Sequence, residues 1–394
     1  MKFYIGSGII NLRVVEKFEA FIIAICLFLL IPPYFVWFYP SVFRVILISL
    51  CFIVSLRHFK FERKNSGYYP LLLFVLFLYF FFLSDEITIL SFVRHCLFTS
   101  LIFIDCRFFK KIFNAFCIVF SLTIIPSIIQ YAMVELFGFH FSYQIIPPLN
   151  ELNNYDYYCY AFYVKPYSFS ILPRFCSFYD EPGVVGTISA FILALKNFNL
   201  RDKFNIPVLI AGIFSFSLYF YLVAVIYIVF FVKDKRYRGY ILLASCVVVF
   251  VLQYVYTDNP LLEKYIFNRL EYDPDKGFVG NNRNLAKFDE WYSDFRNSSD
   301  YLLGLGRNAK RELDLNQGGA SYKDRIVEYG IIGFGLYVIL MLLWAYRRFR
   351  NNQAFFVFLM LFITILFQRP FIMVPFYFIL IFSPIAFLEK ERIK

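Results

Sequence analysis

The sequence predicts an all-α polytopic membrane protein, and three observations predict it. Of the 394 residues, 60% are hydrophobic and only 17% charged, whereas a soluble domain is nearer half apolar and a quarter charged; the mean hydropathy is +0.63. Apolar runs recur at close to the length that an approximately 30 Å hydrocarbon core demands of a helix. The basic residues fall in short stretches between those runs, the placement that orients membrane helices.

Taken in order, apolar spans are expected at 18–38, 41–56, 69–83, 87–104, 112–132, 181–195, 206–232, 240–256, 326–346, 354–368 and 371–388. The run from Phe18 follows Lys2, Arg13 and Lys17 but lacks a small-residue cleavage site, so it reads as a first span rather than a signal peptide. Cytoplasmic loops are marked by Arg57, Lys60, Arg63 and Lys64; by Arg107, Lys110 and Lys111; by Lys196, Arg201 and Lys203; by Lys233, Lys235, Arg236 and Arg238; and by Arg347, Arg348 and Arg350, with Lys390, Arg392 and Lys394 in the tail. Segment 206–232 has a basic cluster on both sides, so one pass would carry one cluster outside. A hairpin broken near Ser215, Ser217 or Tyr219 keeps both inside. It brings the count to about 12 spans with both termini cytoplasmic. The whole chain, 1–394, then forms one integral membrane domain with two large external loops, 133–180 and 258–325, both close to charge-balanced.

The net charge of +11 lies in the membrane-flanking loops, so nucleic acid is not an expected partner. The 8 cysteines show no metal-like spacing. Cys159 and Cys176 share the first external loop, either as a disulfide or as two separate thiols. In the second loop Leu285, Phe288, Trp291, Tyr292 and Phe295 fall at helical spacing, either packing on the bundle or lying on the membrane surface.

Two stretches are candidates for chemistry. Arg174 precedes Asp180-Glu181-Pro182-Gly183 and Gly186, where Asp180 is expected to cap a helix, Pro182 to occupy its first turn, and the glycines to admit a neighbour. Such a helix start attracts anions, and an arginine fork matches phosphate; the plain alternative is a capped helix beside an interfacial arginine. The second stretch runs from Gly304-Leu-Gly306-Arg307 to Tyr322-Lys323-Asp324-Arg325 and Glu328-Tyr-Gly330-Ile-Ile-Gly333. Asp324 and Glu328 share a helical face, as bases or simply as partners of Lys323 and Arg325. Arg94 and His95 lie inside the fourth span, where charge is costly and marks function.

Both junctions, with Ser215-Phe216-Ser217, resemble the bacterial O-antigen and capsule repeat-unit polymerases (Wzy type), relatives of the O-antigen ligases. The resemblance implies a GT-C-like transmembrane bundle in the cytoplasmic (inner) membrane. It implies metal-independent, inverting glycosyl transfer between undecaprenyl-diphosphate-linked glycans as donor and acceptor. No cofactor is implied, and a chain-length regulator is a candidate protein partner. Ligases of this fold tend to carry a histidine in the second loop, where this chain has Tyr322 and Lys323.

A sugar diphosphate is already a good leaving group, so the enzyme must neutralise its developing charge and help deprotonate the attacking hydroxyl. Arg174, Arg283, Arg307 and Arg94 are candidates for the first task; Glu181, Asp324 and Glu328 for the second. Asp273-Pro-Asp275 has the look of a metal-binding pair but reads better as a turn, and no metal site is expected. A lipid-linked glycan flippase, or a ligase of the same fold, are the competing readings; the long external loops argue against the flippase.

Overall fold

A computed structural model describes residues 2–5, 8–61, 67–83, 87–148, 156–166, 173–231, 239, 272–273, 277–278, 286–307, 309, 313, 322–349, 351–369 and 372–388. The span expected at 240–256 lies outside them. The described chain is mostly helical, and Ser41–His58, Cys106–Leu136 and Tyr322–Arg348 are long and apolar enough to cross a membrane. It divides into two compact units, residues 1–120 with 285–394, and residues 121–284.

The first unit opens with a hairpin, β1 (Lys2–Ile5) against β2 (Gly8–Asn11), and then α1 (Leu12–Leu30). Pro32 and Pro33 end that helix's reach, and Pro32 O accepts the Trp37 indole N–H at 2.8 Å. After Pro40 come α2 (Ser41–Ser55), α3 (Tyr68–Phe82) and α4 (Ile89–Thr99). Thr88 starts α4 with a reciprocal cap: its Oγ1 accepts from Ser91 N at 3.1 Å, and its own N–H donates to Ser91 Oγ at 3.0 Å. The long helix α5 (Cys106–Tyr131) follows.

The basic loops of this unit gather at one end. Phe59 bridges Ile104, and Lys60 pairs with Asp105 at 3.3 Å. Glu19 binds Arg57 and His58, and Glu16 binds Lys111. Lys60, Asp105, Trp344 and Arg348 line one small pocket, and Lys110 lies 5.4 Å from the Phe387 ring centre. Three of the basic clusters expected on the cytoplasmic side are thus neighbours in space. Helix α3 leads away from that end, so Leu83 lies at the opposite one.

In the second unit the first long loop is not all coil. It holds a three-stranded antiparallel sheet of β3 (Gln144–Ile146), β4 (Tyr157–Cys159) and β5 (Val164–Pro166), with Tyr157 opposite both Ile146 and Pro166. This corrects the all-α expectation locally. Cys159 and Cys176 carry separate, free and buried thiols. Helix α6 (Pro182–Leu195) is buried from Val184 onward.

The segment expected to form a hairpin is α7 (Asn205–Phe214) and α8 (Leu218–Phe231), broken at Ser215–Ser217. Asn205 Nδ2 donates to Asn199 O at 2.8 Å, just beyond the last turn of α6. Ser215 and Ser217 lie against Gly186 near its start. Tyr227 Oη then donates to Asn197 Oδ1 at 2.7 Å, back at the first end. The segment doubles back along α6, as the flanking basic clusters required.

The short hairpin pairs β6 (Tyr272–Asp273) with β7 (Gly277–Phe278), so Asp273 stands in a strand opposite Gly277, and the turn expected at Pro274, Asp275 and Lys276 lies outside the described residues. The first unit resumes with α9 (Ala286–Phe295), α10 (Asp300–Leu303), α11 (Tyr322–Arg348), α12 (Asn352–Gln368) and α13 (Pro375–Leu388). The stripe of α9 is core: Phe288, Tyr292 and Phe295 are buried with Ala309, Ile326 and Val327.

Candidate functional site

The candidate site is built on a backbone crossing. Helix α11 is interrupted at Gly330 (φ 69°, ψ 167°), a region open only to glycine. Gly304, which ends α10, has nearly the same conformation (φ 86°, ψ 169°). A Cβ on Gly330 would lie 2.2 Å from Leu302 O, and one on Gly304 would lie 2.4 Å from Gly330 N. The interruption frees carbonyls that a continuous helix would use itself. Leu305 N donates to Val327 O at 2.7 Å, and Gly306 N to Glu328 O at 3.2 Å. The segment 304–306 therefore replaces the missing helical bonds, and both ends of the crossing need glycine for close approach.

Arg307 follows directly and is exposed. Its N–H donates to Leu83 O at 3.1 Å, satisfying a carbonyl left over where α3 ends. That end of α3 also carries the other site residues. His95 Nε2 is 2.7 Å from Phe77 O, and its ring is 5.0 Å from that of Phe81. Phe80 stacks on Tyr329 at 4.0 Å. Half-buried Arg94 is beside His95 on α4, and the charges of Arg307 and Arg94 both act on the His95 ring. The charge of Arg307 also reaches Glu328. Arg307 and Glu328, far apart in sequence, thus meet at the Gly304–Gly330 crossing, at the end of the unit remote from its basic loops, where α3 ends and α4, with Arg94, begins.

The carboxylates are held inside the protein. Glu328 is 7% exposed and pairs with Arg325 at 2.7 Å, one turn away on α11. Asp324 is 3% exposed, and its charge acts on both Glu328 and Arg325. Lys323 pairs instead with Asp289 of α9 at 2.7 Å and lies over the Tyr292 ring.

In the second unit Arg174 serves the backbone. Its Nε donates to Ser215 O and a terminal nitrogen to Phe216 O, both at 3.0 Å, while Phe175 N donates to Phe214 O. Arg174 thereby closes the C-terminal end of α7, where a cation also suits the helix dipole. It holds Phe216 in the left-handed region (φ 44°). Gly186 is bare because Ser217 Cβ would come within 2.2 Å of its own Cβ. The cap of α6 differs from expectation. Glu181, not Asp180, is the residue before the helix, its side chain makes no cap bond, and Pro182 opens the first turn. Asp180 O instead accepts from Tyr157 Oη at 3.0 Å.

Of the candidate residues, Arg94, Arg307, Asp324 and Glu328 share the first unit, while Arg174 and Glu181 belong to the second. Arg283 lies outside the described residues. His95 is visible in the sequence as an intramembrane ionisable group, but its hydrogen-bond partner, Phe77 O, is supplied only by the fold.

Comparison with protein-family models, with curated proteins and with solved structures finds no match.

Proposed function

We propose that this chain is a polytopic protein of the cytoplasmic membrane that polymerises undecaprenyl-diphosphate-linked oligosaccharide units into O-antigen or capsular polysaccharide. The glycosyl transfer is inverting and metal-independent, and takes place on the outer face. The observation that carries the reading is the position of Arg307. Arg307 is exposed and its backbone is fixed next to the Gly304–Gly330 crossing, at the end of the unit opposite the basic loops, and its charge and that of Arg94 both act on His95. Basic loops stay on the cytoplasmic side, so the arginines face the side where lipid-linked units are joined.

Arg307 and Arg94 bind the diphosphate and neutralise the charge that grows as the glycosidic bond to it breaks. Arg174, with two donors given to carbonyls, fits support of the α7–α8 turn better than phosphate binding. Asp324 and Glu328 are buried among cations, which suits holding Arg325 and Arg307 in place. Loss of a preorganised cation costs on the order of 100-fold or more in turnover.

The test is Arg307→Ala and Arg307→Lys in a strain lacking the native gene, with surface polysaccharide run on a gel and membrane levels followed by blot. The ladder should collapse to a single repeat unit for alanine and recover in part for lysine, which keeps charge without the fork. A normal ladder with alanine would remove Arg307 from the reaction. Loss of even the single-unit band on gene deletion would point to a step before polymerisation, as a flippase performs.

A further inference from the structure

We propose that His95 takes the proton from the attacking sugar hydroxyl, an assignment that rests on the polymerase reading above. A carbonyl only accepts hydrogen bonds, so the 2.7 Å contact with Phe77 O puts the ring proton on Nε2. The lone pair is then on Nδ1. This fixed tautomer is what a base needs: one nitrogen anchored, the other free to accept. The ring packs against that of Phe81, and the residue is partly exposed.

Its neighbours point the same way. His95 is anchored to Phe77 O and Arg307 to Leu83 O of the same helix, α3, and the charges of Arg307 and Arg94 act on the ring, so the base shares its end of the unit with the arginines proposed to bind the diphosphate. The carboxylates on α11 are less suited. Glu328 is closed into its pair with Arg325, and Asp324 is 3% exposed. A base must come within hydrogen-bond reach of the hydroxyl proton.

In the step, the acceptor hydroxyl oxygen forms a bond to the anomeric carbon of the donor sugar. The bond from that carbon to the diphosphate oxygen breaks, and undecaprenyl diphosphate leaves with the electron pair. The hydroxyl proton moves to His95 Nδ1 and passes from there to water.

The test uses the full-length protein in proteoliposomes with lipid-linked repeat units as donor and acceptor. His95→Gln keeps an N–H for Phe77 O but has no basic nitrogen, so a purely structural histidine would survive the change. The expected result is a fall in kcat of about 100-fold or more, with KM within about twofold. A kcat within about threefold of wild type, or a loss confined to KM, overturns the assignment and leaves the polymerase reading standing. Failure of the wild-type protein to join lipid-linked units sinks both. If His95→Gln does not accumulate in membranes, His95→Ala with added imidazole replaces it. A rate restored by imidazole supports the proposal, and a folded variant that imidazole does not restore counts against it.

Discussion

Gly304 and Gly330 meet backbone to backbone: a Cβ added to Gly304 would lie 2.4 Å from the amide nitrogen of Gly330. Both glycines have positive φ with ψ near 170°, at 169° and 167°. An L-residue pays on the order of 1–3 kcal/mol for that conformation before any overlap is counted. Overlap with Leu302 O, a backbone atom, forces the two chains apart and breaks the Leu305–Val327 and Gly306–Glu328 bonds. Gly330→Ala is therefore expected to abolish polymer formation by moving Arg307. It should also lower the melting temperature of the detergent-solubilised protein. A variant with wild-type melting and a full ladder would mean that the crossing is not needed.

Arg174 should behave differently from Arg307. Its removal strands Ser215 O and Phe216 O, each accepting a charged hydrogen bond worth roughly 1.5–3 kcal/mol. Arg174→Ala is expected to reduce thermal stability and membrane level, while turnover per folded molecule stays within about threefold. Arg174→Lys recovers only part of the stability, because one ammonium cannot match the two-pronged contact. A stable alanine variant with no turnover would instead put Arg174 at the diphosphate.

The aromatic stripe of the second loop makes a packing prediction. Phe288 is 2% exposed and packs with Tyr292, Ile326 and Val327, beside the crossing. Phe288→Ala is expected to cost about 3–5 kcal/mol, as other buried phenylalanines do. Trp291→Ala, at the partly buried rim of the same cluster, should cost less. Thermal melts of the two variants, measured side by side, decide this. Equal melts would mean that the stripe rests on something other than α11.

Features that depend on neighbours along the chain were legible. The break at Ser215–Ser217 follows from basic residues on both sides of one apolar run. Pro182 at the first turn of α6, the stripe of α9 and the bare Gly186 follow from local rules. What needed the fold were pairings across long loops. Nothing in Gly304 or Gly330 names the other, and His95 and Arg307 come together only because α3 supplies both Phe77 O and Leu83 O. The sheet of β3, β4 and β5 was missed because its strands are three residues each in a Tyr-, Asn- and Pro-rich loop, too short to show alternation. The cap position is not legible in the sequence, because Asp180 and Glu181 both precede Pro182 and either polar residue fits that role.

That same loop gives a pH-dependent prediction. Burial pushes the Cys159 thiol up to about 12 and raises the Cys176 thiol as well, chiefly by keeping water from the charged form. Thiolate is the reactive species. At pH 8 both should therefore resist maleimide or iodoacetamide in the folded protein and react once it is denatured. The sign for stability follows from linkage. With the folded pKa raised above the unfolded one, the unfolded chain releases protons first as pH rises. The contribution of Cys159 is thus complete below its unfolded pKa near 9 and is lost as pH climbs towards about 12. Melting temperatures measured from pH 7 to 10.5 should fall more steeply for wild type than for Cys159→Ala with Cys176→Ala. Parallel curves, or rapid labelling at pH 8 in the folded state, would show that these thiols are open to water and that the sheet does not close over them.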